Sequence, residues 1–162
     1  MEETLFRGKP VNKADYTLYE ELYKPDVFNE GFVYGSLIVK GKKHYICIGV
    51  AGVMLNCLIN NATVSLVEVV PETVGQYRGL TDKNGKKIFD GDIVAYEDAE
   101  ADYEGYHDNV FMNRGEVVLS AQNGIGFTNR QTVEMDDLFI DEIMIDCKVI
   151  GNIHDNPELL EV

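Results

Sequence analysis

Pro71-Glu-Thr-Val-Gly-Gln-Tyr-Arg-Gly-Leu-Thr-Asp-Lys-Asn-Gly-Lys-Lys-Ile-Phe-Asp-Gly-Asp-Ile-Val94 is the stretch on which the fold reading turns. A proline opens it, and Asn84-Gly85 stands between two apolar arms, Leu80 and Ile88. Asn-Gly is the strongest short-range signal for a type I′ hairpin, because both central residues of that turn take positive φ. Pairing outward from such a turn sets Lys83 beside Lys86, Asp82 beside Lys87 and Leu80 beside Phe89. Gly91-Asp92-Ile93-Val94 then resets the chain into a new strand. The stretch says how a domain is built and names no reaction.

Outward from it the chain reads as β throughout. On the N-terminal side, Thr4 to Gly8 reads as a short edge strand, and Phe32 to Val39 with His44 to Ile48 as a hairpin around Lys40-Gly41-Lys42. Asp15 caps a short helix over Tyr16, Tyr19, Leu22 and Tyr23 that Pro25 ends. Thr63 to Val70 is a β-branched run stopped by Pro71. On the C-terminal side, Asp92 to Tyr96, Gly115 to Ser120 and Gly126 to Val133 are strand candidates. Ile143, Ile145, Cys147 and Val149 alternate with Met144, Asp146 and Lys148, which marks one buried strand face. Asn156-Pro157-Glu158 carries the N-cap and first-turn proline of a single terminal helical turn. Short strands at this spacing suit a small barrel better than a parallel sheet. The expected organisation is an N-terminal β-rich subdomain with a short helix (residues 1–70) and a barrel subdomain (71–162).

Two segments, Pro71 to Val94 and Val149-Ile-Gly-Asn-Ile-His-Asp-Asn-Pro-Glu-Leu-Leu160, resemble the signature segments of the YopX family of phage and prophage proteins. A third similarity joins Leu5-Phe-Arg-Gly-Lys9 to Phe32-Val-Tyr-Gly-Ser-Leu37, with Phe32 where the family pattern leads one to expect Trp. The segment Asp15 to Asn29 is longer than the usual link. The resemblance implies a mainly β, YopX-like fold whose C-terminal half is an SH3-like barrel, together with self-association. It implies no established activity.

The charge is the unusual number: 28 acids against 14 bases give a net −14. Six acids and no base lie in Glu97 to Asp108 (Glu97, Asp98, Glu100, Asp102, Glu104 and Asp108), and six more in Glu134 to Asp146, again without a base. Without these twelve the chain holds 16 acids and 14 bases, so the acidity sits in two patches of the C-terminal half. Such a chain is repelled by phosphate backbones, since nucleic-acid affinity comes largely from Lys and Arg. The segment Glu97 to Asn109 is read as a loop between barrel strands. No basic and apolar leader opens the chain, and the apolar stretch Tyr45 to Ile59 is broken by Gly49, Gly52 and Asn56. Cys47, Cys57 and Cys147 are an odd number without C-x-x-C spacing and read as reduced. The expected location is the host cytoplasm, with no membrane.

No reactive constellation emerges. Asp98, Glu100, Asp102 and Glu104 alternate like calcium-loop ligands, but the sixth and twelfth positions are Tyr103 and Asn109 rather than Gly and Glu. His44, His107 and His154 lie far from one another and from any cysteine cluster. Ser36, Ser65 and Ser120 lack a nucleophile-elbow context, and Gly124-Ile-Gly126 is a strand-turn signal rather than a dinucleotide loop. Asp90 is expected to close a turn and Asp92 to bond local backbone amides. The expectation is therefore a non-enzymatic chain without metal or cofactor. Arg78, Lys83, Lys86 and Lys87 form a basic hairpin, and with the acids from Glu97 to Asp108 they are the candidate interaction surface. The role expected is a protein-binding, self-associating accessory or adaptor protein. The alternative, from a different class, is an acidic mimic of DNA that occupies a host nucleic-acid-binding protein.

Overall fold

The computed structural model describes residues 5–13, 27–50, 63–101, 107–120, 124–129 and 147–161. The chain is mainly β and divides into two units, Met1–Arg78 and Gly79–Val162. The helix expected at Asp15 to Tyr23 lies outside the described residues.

The first unit contains β1 (Phe6–Gly8), β2 (Phe28–Asn29), β3 (Phe32–Lys40), β4 (Lys43–Val50), β5 (Thr63–Val69) and the start of β6 (Gly75–Thr81). β3 and β4 pair from Ser36↔Cys47 to Lys40↔Lys43, the hairpin read from the sequence. β4 pairs in turn with β5, from His44↔Val69 to Val50↔Thr63. Alternation along these strands sends Val33, Ile46, Ile48, Val67 and Val69 to one buried face with Phe28, and Phe6, Val27, Leu37 and Val74 pack around them. Burying side chains of this size contributes about 1.5–3 kcal/mol each.

β1 is not the edge strand that its sequence suggests. It lies between β3 and β6, pairing Phe6 with Gly35 on one side and with Gln76 on the other. The chain then crosses to the far edge of the sheet: Val70 N donates to Lys9 O (2.8 Å) and Val11 N to Glu68 O (2.9 Å), around a bridge between Pro10 and Val69. The continuation of β1 thus touches β5 through that one isolated bridge. A 3-10 turn, Pro71–Thr73, fastens the junction, because the Thr73 hydroxyl donates to Val70 O (2.7 Å) and accepts from Lys9 N (2.8 Å). Local sequence could not show this, since the pairing joins segments about sixty residues apart and β1 has only three residues of its own.

Phe32, at the start of β3, is buried with the Arg7 guanidinium 4.4 Å and the Lys9 ammonium 4.8 Å from its ring centroid. The two halves of the N-terminal motif therefore meet through a paired ladder and a ring flanked by cations. Such contacts are worth about 0.5–2 kcal/mol and are strongest with Trp.

The second unit takes the end of β6, then β7 (Lys87–Phe89), β8 (Asp92–Ala101), β9 (His107–Ser120), β10 (Gly124–Asn129), β11 (Lys148–Asn152) and a terminal 3-10 turn, Pro157–Leu160. The sheet order is β10-β9-β8-β11, antiparallel throughout. Ile88, Val94, Tyr96, Val117, Cys147 and Val149 make its core, with Leu80 against them. Among the described residues no pair joins β10 to β11, so this sheet is an open path.

The acidic segment departs from its reading as a loop. β8 continues through Ala101 and β9 begins at His107, with Glu97↔Met112, Asp98↔Phe111, Ala99↔Val110 and Glu100↔Asn109 in register. Acids alternating with Ala99 and Ala101 are compatible with an extended chain, and Val110-Phe111 supplies a strand-forming partner. Charge alone does not distinguish the two, because a solvated strand is as charged as a loop.

Gly35 tests the register of the first unit. A Cβ there would run into the Cys47 carbonyl on β4 and lie 2.9 Å from Ile46 Cγ2. Gly35→Ala is expected to cost about 2–3 kcal/mol. A urea midpoint equal to that of the wild type contradicts this packing.

Candidate functional site

The basic hairpin is organised by one carboxylate. Gly85 N donates to Asp82 O (2.9 Å) and Asp82 N to Lys86 O (2.8 Å), so Lys83-Asn84-Gly85 is a three-residue loop with Asp82 beside Lys86. The expected type I′ turn does not form: Gly85 takes φ +79° and Asn84 has no positive φ. A type I turn followed by a left-handed glycine is the usual three-residue solution. Asp82 selects it, because Oδ1 accepts from Asn84 N (2.8 Å) and Lys86 N (2.9 Å), bending the chain back on the side chain.

The second carboxylate oxygen reaches across the unit. Oδ2 of Asp82 accepts from Val149 N (3.0 Å), and beside it Lys83 N donates to Cys147 O (3.0 Å). Asp82 is 5% exposed. Burial pushes its carboxyl up, but the amides of Val149, Lys86 and Asn84, helped by the Lys86 charge, outweigh that and hold it below the ordinary carboxylate range. The turn is therefore pinned to the start of β11.

This pinning builds a surface that the sequence does not show. Lys83 and Lys148, both exposed, become neighbours across the Lys83–Cys147 hydrogen bond although 65 residues separate them. Lys86 is half-buried and Lys87 exposed on the same hairpin. Lys148 is in register with Ala95 on β8, and Ala95 with Arg114 on β9, so two exposed cations flank a small residue on one sheet face. Arg114 Nη1 also reaches Leu159 O in the terminal turn (3.5 Å). Lys148 and Arg114 were missed because the signal is a register across three strands.

The other candidates are placed unevenly. Arg78 lies on β6 at the end of the first unit. Glu97 is exposed on β8, Asp98 and Glu100 follow it there, and Asp108 is the second residue of β9. Asp102, Glu104 and the second acidic run, Glu134 to Asp146, lie outside the described residues.

Asp92 and Asn152, also buried, serve the backbone. Oδ2 of Asp92 accepts from Phe89 N (2.9 Å), the local role expected of it. Asn152 Oδ1 accepts from His154 N and Asp155 N, while Nδ2 donates to Asp155 (3.0 Å). The terminal turn forms at Pro157 as expected, but the Asn156 side chain makes no cap; its Oδ1 accepts instead from Asn152 N (3.4 Å). Among the described residues no three His, Cys, Asp or Glu side chains are grouped so as to hold a metal ion. None of their helices is long and apolar enough to cross a membrane.

The hairpin and the Gly151-Asn152 network are the two segments whose resemblance was noted above. A family model described as YopX protein matches residues 39–161, which takes in both. The chain belongs to the YopX family. No curated protein sequence matches it. Among solved structures it is similar to protein EF1440 from Enterococcus faecalis, at 20% identity, covering 99% of this chain and 100% of that one with a TM-score of 0.49.

In this YopX-family chain Asp82→Asn is expected to cost about 2–4 kcal/mol, because the amide has one accepting oxygen where the carboxylate has two and sets an NH2 donor against a buried backbone N–H. The folded pKa of Asp82 lies below its ordinary value of 3.8. Its contribution is thus complete above that value and is lost as pH falls through the lower folded pKa. Urea unfolding from pH 7 down to pH 2 checks both. A variant as stable as the wild type, with the same acid dependence, contradicts the assignment.

Proposed function

We propose that this chain is a phage or prophage accessory protein that works in the host cytoplasm by binding protein, itself included, rather than by catalysis. The observation that carries the reading is the set of exposed lysines, Lys83 on the turn, Lys87 on β7 and Lys148 on β11, around a turn that a buried carboxylate fixes from two sides. A surface presented on a fixed backbone loses little entropy when it binds, and clustered charge steers an oppositely charged partner. The buried acids Asp82 and Asp92 spend their oxygens on backbone amides, which supports a structural role for them.

A DNA mimic is the second reading, favoured by one feature: Glu97 to Glu100 are held in a ladder and not a loop. Acids on a strand recur at a fixed rise, with alternate ones on the same face, whereas acids on a coil have no set spacing.

Tagged wild-type chain and a Lys83→Glu, Lys87→Glu, Lys148→Glu variant, exposed to host lysate at low and high salt, separate the two. The binding-module reading expects a protein that the wild type recovers and the variant loses. Equal recovery by both contradicts it. A basic nucleic-acid-binding protein recovered by both, and released by salt or by Glu97→Gln with Glu100→Gln, is the mimic's result.

A further inference from the structure

The outward face of β11-β8-β9 carries two rows. The first is Lys148–Ala95–Arg114; the next along the strands contains Glu97 on β8 and its partner Met112 on β9. Successive residues on one strand face lie about 6.6–6.8 Å apart and neighbouring strands about 4.8 Å apart. Glu97, Lys148 and Arg114 are exposed, and Met112 is 55% exposed. Glu97 and Lys148 form no ion pair among the described residues. The opposite face of the same strands is the core containing Val94, Tyr96, Val117, Cys147 and Val149.

We propose that this face docks on the same face of a second copy about a two-fold axis running across the strands between the two rows. The proposal rests on the self-binding reading above and names its surface. Such an axis sets Glu97 of each copy over Ala95 of the other, between Lys148 and Arg114. Ala95 leaves the space for the carboxylate, and the two cations stand about one strand spacing to either side. The same operation sets Met112 against the aliphatic stem of Arg114 of the second copy, which covers an apolar side chain otherwise left in water. An isologous contact of this kind forms twice, so each charge match counts twice. Charge complementarity selects a second copy: the face offers an acid one row from two bases, so it fits its own rotated image. A uniformly acidic or basic partner would meet like charge in one of the rows.

The test is sedimentation equilibrium of the full chain at low and high salt, with circular dichroism to verify folding. Arg114→Glu with Lys148→Glu, and separately Glu97→Lys, are each expected to weaken self-association about tenfold or more, since two contacts turn repulsive. Mixing the two variant chains, or combining all three changes in one chain, is expected to restore association, because the charges are then exchanged rather than lost. If reversed charges unfold the sheet, Glu97→Gln and Lys148→Gln serve in their place, with a smaller weakening. A wild type that stays monomeric overturns both the self-binding reading and this face. A wild type that associates while its variants associate equally overturns this face and leaves self-binding standing. Failure of the exchanged chain to recover refutes the pairing of Glu97 with the two cations.

Discussion

The second unit depends on one buried carboxylate. A charged Asp82 stripped of water is costly, and several backbone amides must aim at it for the charge to persist. They come from two places: Asn84 and Lys86 inside the hairpin turn, and Val149 on the last strand. The first two set the turn type and its register; the third ties the turn to β11. Neither could be surrendered alone, because releasing Val149 would leave a buried anion half satisfied and a buried amide without an acceptor. The contact between turn and β11, otherwise held by apolar burial and the single Lys83–Cys147 backbone bond, thus gains a directional lock.

The first unit ties its segments together by other means. There a short strand with neighbours on both sides passes its chain onto the far edge of the sheet, and Thr73 holds the junction with a hydroxyl that both donates and accepts. Phe32 lies beneath Arg7 and Lys9, so the charged residues of the N-terminal motif act as lids on a ring. In both units a polar side chain is buried where it completes a backbone connection that strand pairing leaves open.

Local patterns were legible from the sequence and distant ones were not. Asn84-Gly85 located the hairpin, and the alternation from Phe32 to Ile48 gave the first ladder with its turn at Gly41. Asn-Gly alone does not fix the turn type, because the acid two residues earlier takes the Asn84 and Lys86 amides with its side chain. β1 looked peripheral because three residues carry no mark of how many neighbours they have. The acidic stretch looked like a loop because six acids in twelve residues outweighed the alternation beneath them. For the candidate surface, Lys83, Lys86 and Lys87 could be read from their spacing, whereas Lys148 and Arg114 enter only through register. Membership of the YopX family was legible from its two segments because their glycines, prolines and asparagines sit where the backbone turns.

The proposed function rests on where charge is left exposed after these locks are made. The acids that the core needs are committed to amides, and the lysines around them are presented outward on a fixed frame. Everything in that account rests on Asp82 being ionised inside the fold. The direct measurement is the carbon-13 NMR titration of its side-chain carboxyl, followed together with the amide resonances of Asn84, Lys86 and Val149. The account requires a midpoint below 3.8 and all three amides moving with that same midpoint. A carboxyl titrating at or above the ordinary value, or a Val149 amide indifferent to it, would contradict it.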